Sequence, residues 1–181
     1  MFELTQGRYQ YYSMRFRIYI LFLLTGLPVI SGAQDNLVLK EISFIFDYKE
    51  VSGTIGDFRS SSIVDVDKPE NSYFEGSVSV ASLKTGNFLR DWAIKGRKYF
   101  NEDQYPRILF RSTEVSSTAD GLKVAGLLTM KGNTNPLVIH FKMNEAGLIG
   151  QAELFTSDYG ISIKKERAEN KVLVTLEFQT E

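Results

Sequence analysis

Cysteine is absent from the 181 residues. That removes a disulfide framework, a thiol nucleophile and an N-terminal lipid-modified cysteine together. Histidine occurs once, as His140. Period-two alternation turns it outward with Val138 and Lys142, and it has none of the partners a metal site needs. The sequence also lacks a nucleophile elbow, a P-loop and a dinucleotide fingerprint. The nearest glycine pair, Gly53 and Gly56, sits in a strand-like run, where glycine marks a bend or bulge. Excess charge is missing too. The chain carries −1, and its first 33 residues hold Arg8, Arg15 and Arg17 against Glu3, leaving −3 for residues 34–181. Such a balance gives no electrostatic footprint for nucleic acid. Arg90, Lys95, Arg97, Lys98 and Arg107 do gather near Trp92, Tyr99 and Phe100. They are interleaved with Asp91, Glu102 and Asp103, so local ion pairing accounts for them and nucleic acid is not expected as a partner. The carboxylates of the same cluster offer no base–nucleophile pair, so neither an enzyme nor a bound cofactor or metal is expected.

A hydrophobic run long enough to cross about 30 Å of hydrocarbon is also missing. Ile18–Ile30 is apolar but is interrupted by Gly26 and Pro28. Arg15 and Arg17 precede it, and Ser31-Gly32-Ala33 follows with the small residues that signal peptidase requires. The expectation is an upstream extension plus signal peptide over residues 1–33, with Met14 as the true start and cleavage after Ala33. Residues 34–181 then form one domain, exported to the periplasm or beyond.

What is present over those residues is alternation. Ile42, Phe44, Phe46 and Tyr48 share one face. So do Phe74, Gly76, Val78 and Val80; Ile108, Phe110 and Ser112; Val124, Gly126, Leu128 and Met130; Leu137, Ile139, Phe141 and Met143; and Val172, Val174, Leu176 and Phe178. Runs at Gly53–Val66 and Leu148–Thr156 bring the count to about eight strands. Turn residues separate them at 67–71, 119–121, 132–136 and 144–147, spacings that favour antiparallel neighbours. The fold class is all-β, an eight-stranded antiparallel barrel, since closure removes exposed edges. Its inward face mixes large Phe44, Phe46, Phe74, Phe110, Phe141 and Met130 with small Gly76, Ser112, Gly126, Gly150 and Ala152. That mixture suits either jigsaw packing or a narrow apolar channel.

One connection is long, from Lys84 to Pro106. Phe88, Leu89, Trp92 and Ala93 fall on one helical face, so the pattern predicts a short helix broken near Gly96, lying as a lid with its apolar stripe inward. Pro106 suits the start of the next strand. Candidate ligand contacts on the wall are Phe44, Phe46, Phe74, Val78, Phe110, Leu128, Met130, Ile139 and Phe141. Leu89, Trp92 and Phe100 would cover the mouth, and Asp91 is a further candidate ligand contact that could instead cap or anchor backbone there.

Several short motifs occur in order: Thr85-Gly86-Asn87, Arg90-Asp91, Phe100, and Tyr105-Pro106 with Ile108, Phe110 and Ser112. Leu128 to Gly132 and Asp158-Tyr159-Gly160-Ile161 follow. Together they resemble the YceI-like family of bacterial polyisoprenoid-binding proteins across most of residues 38–179. The resemblance implies a lipocalin-like barrel holding a long isoprenoid chain, a periplasmic setting, and a role in handling quinones or lipid carriers. Partners would be a long-chain isoprenoid or similar apolar lipid, with transient membrane contact and a homodimer left open. Three positions depart from the family pattern. Asp47 to Val51 lacks the histidine many relatives carry, Ala93 stands where another is common, and Ser157 replaces an arginine. The apolar-chain reading therefore carries over better than any headgroup assignment. The bland alternative is a side-chain-filled barrel serving as a structural or interaction module of the cell envelope.

Overall fold

The computed structural model describes residues 37–180, apart from residues 64, 66, 67, 145 and 146. The signal-peptide expectation, including Met14 and Ala33, lies outside the described residues. Nine strands form one antiparallel sheet, β1 (Leu37–Phe46), β2 (Val51–Ile55), β3 (Arg59–Ser60), β4 (Glu75–Ser79), β5 (Arg107–Thr118), β6 (Gly121–Met130), β7 (Asn133–Asn144), β8 (Gly147–Phe155) and β9 (Lys171–Thr180). Their spatial order is β2-β1-β9-β8-β7-β6-β5-β4-β3. The sheet curls into a half-barrel. The run expected as one strand from Gly53 to Val66 is divided, because Asp57 adopts a left-handed backbone with φ 46° between β2 and β3. Tyr48 falls beyond the end of β1, in a 3-10 turn, and is exposed under the Lys164 ammonium.

The alternation holds wherever strands pair. Two bulges adjust it, at Leu39/Glu41 in β1 and at Ser112/Glu114 in β5, so that Leu39 and Val115 still point inward. A bulge inserts one unpaired residue and restores the inward face beyond it. The turn between β6 and β7 is only Lys131-Gly132, both at positive φ, so Asn133 to Pro136 belong to the strand and not to the loop expected there. Pro136 pairs only with β6, at Leu127, while the β7–β8 ladder begins at Ile139. A residue with no N–H is tolerated where one side of the strand is unpaired.

The sheet's two end strands, β2 and β3, do not pair with each other. Other groups hold the seam. Thr54 N–H donates to the Lys84 carbonyl at 2.8 Å, and Lys84 N–H returns to the Thr54 carbonyl at 2.9 Å. Gly53 permits this close crossing, since a Cβ there would collide with the Lys84 carbonyl and the Phe44 ring. Arg107 clamps the β2–β3 connection, donating to the Asp57 carboxylate at 2.7 Å, the Asp57 carbonyl at 2.6 Å and Ser77 Oγ at 2.9 Å.

Helix α1 (Phe88–Lys95) starts at Asn87, whose side chain accepts from Arg90 N–H at 3.0 Å, and ends at Gly96. An asparagine cap and a terminal glycine are what a short helix needs to satisfy its end groups. With the segment after β8, α1 sits at the barrel end where β1, β6 and β8 finish. Asn170, fully buried, organises that segment. Its Oδ1 accepts from Ile163 N–H (2.8 Å) and Lys164 N–H (2.9 Å), and its Nδ2 donates to the Lys164 (3.1 Å) and Glu166 (2.7 Å) carbonyls. Tyr159, near the start of the same segment, is also buried, and desolvation pushes its hydroxyl up to about 12, so it stays neutral. At the opposite end Phe74, Phe141 and Phe178 form an aromatic group, with ring centroids 5.9 Å and 6.2 Å apart. Ser112 fixes Phe74 there, its Oγ accepting from Phe74 N–H at 2.9 Å.

Candidate functional site

The curled sheet encloses a cavity of about 840 Å³. It is walled by inward side chains of all the long strands, among them Phe44, Phe46, Phe110, Leu128, Met130, Ile139, Phe141, Ala152, Val174 and Leu176. The interior is therefore not filled by its own side chains. A volume of that size falls within the range of small-molecule sites, and the near-continuous hydrocarbon wall restricts what can enter. Against the apolar part of that wall, a charged or unpaired polar group on the ligand would lose several kcal/mol of hydration without compensation.

Several polar groups on the wall are engaged in the protein's own bonds. Ser60 and Ser62 hydroxyls lie 2.8 Å apart, and both reach the Glu75 carbonyl. The Glu75 carboxylate accepts from Tyr73 Oη at 2.5 Å and from Arg111 Nη2 at 3.0 Å. These donors hold the Glu75 carboxyl below the usual carboxylate range. Among the described residues no cluster of three or more His, Asp or Glu is arranged to hold a metal ion.

A second polar group fastens α1. The Thr85 hydroxyl donates to Asp91 Oδ1 at 2.5 Å, Thr85 N–H donates to the same oxygen at 2.8 Å, and Arg90 Nε donates to Thr85 Oγ1 at 2.7 Å. Thr85 and Arg90 line the cavity; Asp91 does not. The Thr85 hydroxyl, then its N–H and the nearby Lys95 and Arg90 charges, hold the Asp91 carboxyl below its usual range against an opposing desolvation. A depressed carboxylate contributes stability that is complete at neutral pH and is lost as pH falls through its lowered value. Limited proteolysis should therefore show cleavage around α1 rising only below about pH 4, and Asp91→Asn should show that raised cleavage already at neutral pH. Equal, pH-independent cleavage in both proteins would contradict this anchoring role.

Of the residues expected from the sequence, Phe44, Phe46, Phe74, Val78, Phe100, Phe110, Leu128, Met130, Ile139 and Phe141 line the cavity. Leu89 and Trp92 do not. The helix presents Arg90, Ala93 and Ile94 to the cavity, and leaves Phe88, Leu89 and Trp92 exposed to solvent. The expected lid is thus in place but turned over. Its orientation is fixed by the Asp91–Thr85 and Arg90–Thr85 bonds, which an apolar stripe alone does not reveal. Phe58, Leu83 and Ile163 also line the cavity without having been singled out, as does Ile161, noted in the sequence only as part of a motif. They lie in irregular segments where no period marks the inward side, whereas Leu176 and Phe178 stood on the inward face of β9 in the alternation.

An antiparallel sheet curled around an apolar chamber is a lipocalin-like architecture. The chain matches the YceI-like domain over residues 36–181 and belongs to that family. A UPF0312 protein of Photorhabdus laumondii is 32% identical over 100 residues, 55% of this chain and 52% of that relative. A UPF0312 protein of Yersinia pestis is 30% identical with the same coverage. The chain thus spans about half the length of the curated relatives it matches. Among solved structures, BcnA of Burkholderia cenocepacia has a TM-score of 0.65 at 18% identity, covering 76% of this chain and 94% of that one. A polyisoprenoid-binding domain from Saccharophagus degradans has a TM-score of 0.50 at 13% identity, covering 80% and 98%. At such identities these two likenesses establish the fold.

Proposed function

We propose that the protein is a non-enzymatic lipid-binding protein that holds a long apolar isoprenoid chain, such as that of a quinone or a polyprenyl lipid, inside the half-barrel. The observation that carries this reading is the predominantly hydrocarbon wall of the 840 Å³ cavity. The Saccharophagus degradans neighbour, a polyisoprenoid-binding domain of the same fold, supports the ligand class. Burial of chain methylenes, about 0.8 kcal/mol each, supplies the driving force. Ordering the chain offsets much of it. At about 0.3 kcal/mol per non-hydrogen atom, a chain of about 28 carbons reaches roughly micromolar affinity. The leader pattern over residues 1–33 supports a site of action in the periplasm or otherwise outside the cytoplasm. Ser60, Ser62, Glu75, Thr85 and Arg90, wall groups occupied in structural hydrogen bonds, support a carrier, store or sensor over a catalyst.

A series of polyprenols that share one hydroxyl head and differ only in length tests this. Affinity is expected to rise with each added isoprene unit until the cavity is full, and then to level off. Affinity independent of length, or no binding at any length, would contradict it.

A further inference from the structure

The three most exposed large hydrophobic residues among those described lie together on α1. Phe88 is 81%, Trp92 75% and Leu89 73% exposed. Phe88 and Trp92 are four residues apart and share one helical face, with Leu89 beside them. The opposite face, with Arg90, Ala93 and Ile94, lines the cavity. One short helix thus separates the chamber from an outward aromatic patch. The patch is held firmly. The Asn87 side chain caps the helix, and the Asp91–Thr85 bonds and the Lys95 ammonium on the Ala81 carbonyl at 2.5 Å tie it to the segment that follows β4. Exposed apolar groups on a fixed support mark an interaction surface.

Charge indicates what covers it. Exposed Lys84 precedes the helix, and exposed Arg97 and Lys98 follow it. Among the described residues none of these three, nor Lys95, takes part in an ion pair with a carboxylate. Of the nearby acids, Asp91 is committed to Thr85, while Glu102 and Asp103 lie in the turn beyond. Counting Arg90, residues 84–103 carry five cations against these three acids, on a domain whose residues 34–181 sum to −3. An aromatic patch with a cationic rim suits the headgroup region of an anionic bilayer, where tryptophan rings and basic side chains are both favoured. A second copy suits it less, since two-fold pairing would bring the like-charged rims together.

We propose that the outer face of α1 docks this protein on anionic lipid bilayers. Phe88, Leu89 and Trp92 enter the boundary between headgroups and acyl chains, and Lys84, Arg97 and Lys98 meet the headgroups. The α1-covered end of the cavity then faces the membrane, the source or destination of an apolar cargo. The docking rests on the lipid-carrier reading for its purpose and on the helix alone for its evidence.

Trp92 is the only tryptophan, so its fluorescence reports on this face and on no other part of the chain. The purified protein is titrated with vesicles of equimolar phosphatidylglycerol and phosphatidylcholine, and separately with pure phosphatidylcholine. A blue shift and loss of iodide quenching are expected with the anionic vesicles, with binding about tenfold weaker to the neutral ones. Phe88→Ser with Leu89→Ser, and separately Arg97→Glu with Lys98→Glu, should each weaken anionic-vesicle binding about tenfold or more. These positions are exposed, so the variants should fold as the wild type does, which circular dichroism checks. No shift, equal binding to neutral vesicles, or wild-type binding by the Phe88/Leu89 variant would overturn the proposal. So would a shift that grows with protein concentration without vesicles, which marks a second copy as the occupant. Uptake of a polyprenol dispersed in solution is measured alongside. It should survive the Phe88/Leu89 change, and its absence from the wild type would sink the cavity reading while leaving the docking result standing.

Discussion

Ala152→Phe combined with Val174→Phe is expected to lower isoprenoid affinity about a hundredfold while leaving the fold intact. The two residues are paired across β8 and β9, Ala152 also lies opposite Ile139 on β7, and both face the cavity. Their new rings enter unoccupied space, so the usual cost of overpacking a filled core does not arise. They displace ligand instead. Excluding about four methylenes at about 0.8 kcal/mol each removes about 3 kcal/mol, which is about a hundredfold in affinity. Position matters here. A side chain at Gly126 would collide with the Arg111 carbonyl and the Phe110 ring, so enlarging that residue disturbs the ladder as well as the lumen. Titration with a polyprenol, beside thermal melts, reads the double variant. Wild-type affinity with a wild-type melting temperature would mean that the ligand does not use the chamber.

The largest stability loss is expected from Asn170→Ala. Asn170 is fully buried, and its side-chain amide makes four hydrogen bonds to backbone groups of Ile163, Lys164 and Glu166. Removing the amide leaves two N–H groups and two carbonyls without their partner, in a segment that is partly exposed. Each unsatisfied buried group costs about 1–3 kcal/mol, and partial rehydration brings the expected total to about 4 kcal/mol. Asn170→Asp should also destabilise, since it keeps the acceptor and loses both donors. Ile161 and Ile163 belong to the same segment and line the cavity, so ligand retention should fall with stability. Urea unfolding measures the loss. A change below about 1 kcal/mol for Asn170→Ala would show that the segment does not depend on this residue.

The wall of the chamber was legible in the sequence because a strand's period is local. Once Phe44 or Ile139 is assigned inward, pairing carries the assignment along the strand, and the bulges in β1 and β5 do no more than reset it. Asp91 was also readable as an anchor at the barrel end, and its acceptance of two Thr85 donors is that role in atomic form. The orientation of α1 was not legible. Phe88, Leu89 and Trp92 form a real stripe, but amphipathicity states only that a face seeks an apolar partner, and not which one. Tertiary hydrogen bonds to Thr85 turned that stripe outward. The division of β2 from β3 was hidden for a similar reason, since it depends on Asp57 in a left-handed conformation under Arg107. Phe58, Leu83 and Ile163 reach the cavity from irregular segments, where no repeating pattern points inward. The departures from the family pattern at Asp47 to Val51, Ala93 and Ser157 lie around the α1 end. Ala93 lines the cavity there with a methyl group in place of a ring nitrogen, in keeping with a site that recognises the chain of its ligand before the head.

The measurement that bears most directly on the chamber's purpose is gentle native mass spectrometry of the protein purified from its host without detergent, followed by organic extraction of the same sample. A non-covalent adduct of several hundred daltons is expected, extractable into solvent as an isoprenoid lipid and missing from the Ala152→Phe/Val174→Phe variant. An adduct-free wild-type protein that also fails to take up added polyprenol would contradict the account.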